Sequence, residues 1–309
     1  MAEEVPKLSE GDRRRVRVAV LGSPVRHSLS PMVHTAAYSA LGLTWWRYEA
    51  IESDEAGLPA LLDRCGPDWA GLSLTTPLKR AVLPLLDRIE PLATEVGGAN
   101  TVVFAAAQRL GYNTDVPGMV RALAEHGIGA ARAAVPSRPA GPALILGGGA
   151  TACAALAALR DLGERSVTAA VRDPARAGDL VSAAGRLGMT VTLRPFEPAC
   201  LAGARLVVST VPAGAADLFA QIFGGLVPVP AAVFDVVYHP WPTPLAAAAA
   251  AAGATVVGGF ELLLHQAALQ VELMTGRPAP VDEMRRAGRA ELSRRAGGGL
   301  GPREPAGGQ

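Results

Sequence analysis

Gly147, Gly149 and Ala152, in the run Leu-Gly-Gly-Gly-Ala-Thr-Ala at 146–152, fit G-x-G-x-x-A directly between an apolar run and an alanine-rich segment of helical character. That chemistry is phosphate binding: the first glycine permits a tight turn, the second lets backbone approach a pyrophosphate, and the helix start offers unpaired N–H donors. A second group lies nearer the N-terminus. Ser28 and Ser30 flank Leu29 ahead of Pro31, which reads as Ser30 capping a helix whose first position is Pro31, and such a start with two hydroxyls also suits a small carboxylate. Lys79 follows Thr75-Thr76-Pro77 at the C-terminal end of a strand-like run, where open α/β sheets bind ligands. Gly98-Ala99-Asn100-Thr101 and Gly111-Tyr112-Asn113-Thr114-Asp115 add two polar turns. A lone lysine is ordinarily a solvated surface charge, and both turns lie where the first domain hands over to the second, where loops line the cleft between domains.

Strands alternating with helices must position these groups. Val16 to Leu21, Trp45 to Ala50, Ala70 to Leu74 and Thr101 to Phe104 read as strands, with helical stretches at Met32–Leu41, around Leu58–Arg64 and from Leu78 onward. Such alternation predicts parallel pairing and right-handed crossovers. The Pro-, Ala- and Arg-rich stretch Ala130–Pro142 reads as an exposed connection. Behind it, strands at Ala143–Leu146, Val167–Val171, Thr190–Leu193, Arg205–Ser209 and Val233–Val237 outline a doubly wound nucleotide-binding domain, with helices after the glycine turn and over Pro174–Leu187.

The second strand of that unit ends in Arg172, with Arg176 four residues on, so two guanidiniums on one side would suit a ribose 2′-phosphate and favour NADP over NAD. Asp173 is open to two readings, a partner for a ribose 2′-hydroxyl or a helix cap ahead of Pro174, and capping is preferred.

The chain has 309 residues, half of them apolar, and 29 Lys+Arg against 28 Asp+Glu, so no global field gathers nucleic acid, membranes or polyanions. Cys65, Cys153 and Cys200 lack disulfide or zinc-ribbon spacing, and His27, His34, His126, His239 and His265 show no metal-ligand spacing; no metal is assigned. The N-terminus is charged where a secretory signal needs an apolar core, and no apolar run reaches a membrane span, so a soluble, cytoplasmic protein is expected. The stretch Arg285–Gln309, Arg-rich then Gly-rich, reads as a disordered tail without the aromatic interleaving of a nucleic-acid contact.

Seven segments in order, Gly22–Pro31, Gly71–Lys79, Gly97–Val102, Gly111–Asp115, Leu146–Ala152, Phe234–Leu245 and Gly258–Ala267, resemble the shikimate dehydrogenase family, with the likeness running from about Val16 to Gly276. The resemblance implies two domains. An α/β substrate domain takes residues 1–115 plus 259–284, a Rossmann NADP-binding domain takes 116–258, and the C-terminal helix returns to the first. It implies reversible NADPH-dependent reduction of 3-dehydroshikimate to shikimate, with Lys79 and Asp115 as the catalytic pair. Substrate contacts fall on Ser28, Ser30, Ser73, Thr75, Asn100, Tyr238 and Gln266, and cofactor contacts on Gly147, Gly148, Gly149, Ala150, Thr151, Arg172, Arg176, Val236 and Gly259. A monomer or homodimer acting on a small molecule, with no nucleic acid or membrane partner, is expected.

This chain departs from the family pattern at four places. Ser73 stands where the family usually has Asn, Val116 where Gly is common, Ala150 where a further glycine often sits, and Val171-Arg172-Asp173 where Asn-Arg-Thr is usual. The Ser73 departure keeps a quinate or aminoshikimate dehydrogenase open as an alternative, beside another class of nucleotide-dependent dehydrogenase and a catalytically silent NADP-sensing regulator.

Overall fold

In the computed structural model, residues 15–129, 141–222 and 232–297 are described. Two six-stranded sheets organise them. The first takes β1 (Val16–Gly22), β2 (Trp46–Glu52), β3 (Trp69–Leu74), β4 (Arg88–Ile89), β5 (Thr101–Ala105) and β6 (Gln108–Tyr112), in the order β2-β1-β3-β5-β6-β4. Its helices are α1 (Ser30–Ala40), α2 (Leu58–Asp63), α3 (Leu78–Ala81) and α4 (Pro91–Val96), and α5 (Asp115–Glu125) leaves it toward the second sheet. β1 pairs in parallel with β2 and β3, as alternation predicts. However, β5 runs antiparallel to β3 and to β6; in the β5–β6 hairpin, Ala106 and Ala107 turn the chain back at positive φ without a crossover helix. The helical stretch expected from Leu78 onward is cut short by Pro84 into α3, a 3₁₀ turn at Leu83–Leu85 and the short β4.

The second sheet takes β7 (Ala143–Leu146), β8 (Ser166–Val171), β9 (Thr190–Pro195), β10 (Leu206–Ser209), β11 (Ala232–Asp235) and β12 (Thr255–Gly258). Its order, β12-β11-β10-β7-β8-β9, is parallel throughout and matches the doubly wound dinucleotide-binding arrangement. Leu144, Ile145 and Leu146 are completely buried, as a strand covered on both faces requires. α6 (Ala150–Asp161), α7 (Gly178–Arg186) and α8 (Pro244–Ala251) flank this sheet. Pro174–Ala177 is a 3₁₀ turn rather than the first turn of the helix expected there; the continuous helix starts at Gly178.

After β12 the chain enters α9 (Gly259–Thr275), whose residues Leu264, Ala267, Ala268 and Val271 are buried in the core that also holds Val18, Val20 and Val33 of the first sheet layer. Gly259 is required at this return, since a Cβ there would stand 1.9 Å from the Val236 carbonyl oxygen.

The expected tail is corrected from Arg285 to Gly297, which forms most of α10 (Val281–Gly297). Its arginines have partners that the sequence pattern does not reveal. Arg285 pairs with both Glu125 and Glu261, Arg289 with Glu261, and Glu291 holds Arg294 and Arg295. Met284, on the inner face of this helix, is completely buried. Arg295 Nη1 also donates to the His27 carbonyl at 2.7 Å, tying α10 to the loop that carries Ser28. The charged N-terminal segment 1–14, most of the Ala130–Pro142 connection and the remainder of the tail, 298–309, lie outside the described residues. Among the described residues, no helix is long and apolar enough to cross a membrane.

Candidate active site

A cavity of about 230 Å³ opens between the two sheets, lined by Ser28, Ser30, Ser73, Thr75, Lys79, Asn100, Asp115, Val236, Tyr238, Gly259 and Gln266. Every residue expected to contact substrate therefore meets in one place. Lys79 projects from α3, just past the end of β3, and its Nζ donates to Asp115 Oδ2 at 2.6 Å. Both side chains are largely removed from solvent. Asp115 opens α5, the helix end where a carboxylate is favoured, and the Asn113 side chain accepts from the Asp115 and Val116 amides.

Asn100 organises the floor. Its Nδ2 donates to Thr114 Oγ1 at 2.9 Å and Asp115 Oδ1 at 2.8 Å and faces Gln266 Oε1 at 3.4 Å, while its Oδ1 accepts from the Thr114 amide at 2.8 Å. Lys79 and Asn100 thus occupy both Asp115 oxygens, fixing the carboxylate in one orientation.

The serine loop differs from expectation in one detail. Ser30 is the first residue of α1 rather than its cap; the residue before it is Leu29, and no side-chain oxygen caps the helix. Ser28 Oγ instead accepts from the Ser30 amide at 3.2 Å, and Ser30, largely buried, lines the cavity with its side chain near the Tyr48 phenol. Burial raises the Tyr238 phenol above its ordinary pKa, and the Leu29 backbone N–H bears on its oxygen, so Tyr238 stays a neutral hydroxyl beside the two serines. Together they form a polar end lined by hydroxyls, with the Arg295 guanidinium close enough to act on the Tyr238 phenol, suited to a carboxylate.

On the opposite side, β7 runs into Gly147, whose φ of +113° only glycine adopts without strain and whose Cβ would meet Thr210 Oγ1 at 2.7 Å. Gly148 packs toward Val171, while open space surrounds Gly149. Gly149 precedes α6 with extended backbone and no side-chain cap, leaving the Ala150 and Thr151 amides without a side-chain acceptor. Arg172 and Arg176 are exposed beyond the end of β8, and neither pairs with an acid among the described residues. Asp173 Oδ1 accepts from the Ala175 amide at 3.0 Å, the capping alternative. This set fits a phosphorylated dinucleotide: donors for a pyrophosphate, space for it over Gly149, and two free guanidiniums where a ribose 2′-phosphate would lie.

Next to the motif residues lie others that no sequence motif marks. Gln270 lines the cavity beside Ser73, and Tyr48, His34 and Thr101 lie behind that wall in a buried polar cluster against Ser73 and Asn100. Gln270 is one helical turn beyond Gln266 on α9, a spacing that could have marked it. His34 Nδ1 lies 2.9 Å from the Ser30 carbonyl, and its ring stacks on Tyr48 with centroids 4.1 Å apart. Burial lowers the His34 pKa from 6.5 to about 4. Protons then bind the unfolded chain more tightly than the folded one, so this contribution to stability is full above the unfolded value and lost as pH falls toward the folded one. Urea unfolding at about pH 7.5 and about pH 5 should show wild type losing about 2 kcal/mol more than His34→Gln. Equal losses would contradict a neutral, buried imidazole.

Elsewhere, Glu125, Glu261 and His265 converge, yet Arg285 bridges both carboxylates and Arg289 adds to Glu261, so guanidiniums balance that charge. Cys153 is buried and Cys65 and Cys200 half-buried; burial raises all three thiols, the latter two to about 11.

Residues 20–102 match the model of the shikimate dehydrogenase substrate binding domain, and 259–287 match the shikimate 5′-dehydrogenase C-terminal domain. A shikimate dehydrogenase (NADP(+)) from Moorella thermoacetica is 35% identical over 296 residues, 91% of this chain and 95% of that protein. An enzyme of the same name from Thermus thermophilus is 38% identical over 283 residues, 91% of this chain and 98% of its own. The chain belongs to the shikimate dehydrogenase family.

Solved shikimate dehydrogenases share its architecture. That of Mycobacterium tuberculosis superposes with a TM-score of 0.77 at 41% identity, covering 89% of this chain and 99% of that one. A Thermus thermophilus shikimate dehydrogenase in complex with NADP(H) and shikimate gives 0.76 at 35% identity, covering 90% and 100%. Membership accounts for the union of a serine-lined pocket, a Lys–Asp pair and a doubly wound sheet in one chain.

Proposed function

We propose that the protein is an NADP-dependent shikimate dehydrogenase, reversibly reducing 3-dehydroshikimate to shikimate in aromatic amino acid biosynthesis in the cytoplasm. The observation that carries this reading is the Lys79–Asp115 pair, 2.6 Å apart and largely buried, in the cavity that faces both the serine loop and the nucleotide sheet. When bound, the nicotinamide supplies or accepts the hydride. The remaining chemistry belongs to the chain's own residues.

Ser28, Ser30 and Tyr238 hold the substrate carboxylate, which turns the opposite side of the ring toward Lys79. As the ring carbonyl is reduced, its oxygen gains negative charge, and the Lys79 ammonium donates a proton to it; in the oxidative direction Lys79 takes the proton back. Asp115 keeps the Lys79 Nζ aimed and accepts from a substrate hydroxyl. Thr75, Asn100 and Gln266 line the same pocket and serve the remaining ring hydroxyls, with Ser73. Gly147, Gly148, Gly149, Ala150 and Thr151 hold the pyrophosphate, Arg172 and Arg176 the 2′-phosphate, and Val236 and Gly259 the nicotinamide side.

In domain terms, the described residues within 1–115 and 259–284 form the substrate domain and those within 116–258 the NADP-binding domain, the helix to Gly297 being added to the first. All these residues come from one chain, so a second copy is not needed to complete the site.

Nicotinamide absorbance, followed with shikimate or quinate and NADP⁺ or NAD⁺ in all four pairings, tests the reading. Fast turnover with shikimate and NADP⁺ is expected. Preference for quinate would make Ser73 a determinant for a different family substrate, and silence in all four would overturn the assignment.

A further inference from the structure

The hydrogen bonds behind the substrate pocket can run in only one direction. Two backbone groups fix it. The Thr114 N–H can only donate, and it lies 2.8 Å from Asn100 Oδ1, which orients the Asn100 amide. The Asn100 backbone carbonyl can only accept, and Gln270 Nε2 lies 3.3 Å from it. Gln270 Nε2 also reaches Thr101 Oγ1 at 2.9 Å, and Thr101 passes its own proton to Asn100 Oδ1 at 2.9 Å.

With its nitrogen so engaged, Gln270 must turn Oε1 toward Ser73, whose Oγ is 2.7 Å away. An amide oxygen accepts and never donates, so the single Ser73 proton is committed to Gln270. On its other side, Ser73 Oγ lies 2.7 Å from the Tyr48 hydroxyl. Tyr48 is therefore the donor there, and burial raises its pKa well above the usual phenol, keeping that proton in place. Stacking against His34 holds the phenol ring.

We propose that Gln270, acting through Ser73, makes this wall of the pocket specific for a hydrogen-bond donor on the substrate. Ser73 faces the ligand with a free lone pair and no free proton. A ring hydroxyl can satisfy it; a ketone, ether or fluorine at the same ring position cannot. The Asn usual in the family presents both a donor and an acceptor and lacks this discrimination. Gln270 is the positioning residue that orients the Ser73 proton, Tyr48 fills one Ser73 lone pair, and Ser73 is the contact so tuned. The inference rests on the shikimate reading and specifies how that site selects its ligand.

The test compares KM for shikimate with KM for its 4-fluoro and 5-fluoro analogues, each lacking one non-reacting hydroxyl, using NADP⁺ and the full chain. In wild type, one of the two analogues should show a KM about tenfold above that of shikimate. In Gln270→Met the Ser73 proton is released toward the pocket, and that ratio should fall about threefold or more. Tyr48→Phe leaves the proton on Gln270 and should keep the ratio. Equal KM for all three compounds in wild type would overturn the proposal, as would a Gln270→Met variant that shifts every KM by one common factor, the result of a merely structural role. If Gln270→Met does not fold, Ser73→Ala replaces it: loss of the ratio through weaker shikimate binding supports the proposal, and an unchanged ratio overturns it. No turnover of shikimate by wild type would instead overturn the functional reading itself.

Discussion

Replacing Lys79 by Ala should lower kcat by about 10³ while changing KM for shikimate by less than about fivefold, as measured by steady-state turnover in both directions. The size follows from the geometry. Lys79 is within hydrogen-bond reach of Asp115 and lines the cavity, so in the proposed mechanism its loss removes the proton donor from the reduced oxygen and leaves no other lysine or arginine among the described residues lining it. In the proposed reading, substrate binding depends mainly on the serines, Tyr238, Asn100 and Gln266, which the substitution leaves in place. Asp115 retains its bond from Asn100 Nδ2 at 2.8 Å, so the floor should persist. An unchanged kcat would remove Lys79 from the chemistry. A large rise in KM with kcat intact would make it a binding residue only.

The paired change Arg172→Ala with Arg176→Ala should raise KM for NADP⁺ about 100-fold and leave KM for NAD⁺ within about twofold. Each charge-assisted bond to a 2′-phosphate contributes about 1.5–3 kcal/mol, and NAD lacks that phosphate. Neither arginine pairs with an acid among the described residues, so their removal leaves no buried partner exposed. Asp173 serves a different end, because it caps the 3₁₀ turn through the Ala175 amide. A parallel loss of NAD⁺ binding would mean that the arginines shape the turn rather than read the phosphate.

Much of the nucleotide-binding half was legible because its determinants are local. Buried parallel strands such as Ala143–Leu146 are continuous apolar runs, and the glycine turn lies between strand and helix. The first sheet was harder. The antiparallel hairpin Thr101–Tyr112 depends on a two-alanine turn at positive φ, a conformation that alanine does not advertise. The helix over Arg285–Gly297 was invisible for another reason: its arginines look solvated in sequence, and their acidic partners Glu125 and Glu261 lie 160 and 24 residues from Arg285.

The site divides in the same way. Lys79, Asp115, Ser28, Ser30, Asn100 and the glycine turn sit in compact motifs, so the pattern finds them. Tyr48 and Gln270 do not, because each joins the site only through tertiary pairing, Tyr48 by alternation in β2 and Gln270 by one turn of α9 beyond Gln266. In sequence, Ser73 reads only as the loss of an amide. Its place between two fixed partners gives it a defined polarity that its identity alone does not reveal.

In the proposed mechanism, hydride leaves the shikimate ring carbon whose hydroxyl Lys79 and Asp115 hold. Shikimate carrying deuterium on that carbon, incubated with NADP⁺ and the purified protein, tests it most directly by mass spectrometry of the reduced cofactor. One deuterium in the NADPH formed, with 3-dehydroshikimate as the other product, is the expected result. Label retained in the ring, or no reduced cofactor at all, would contradict it.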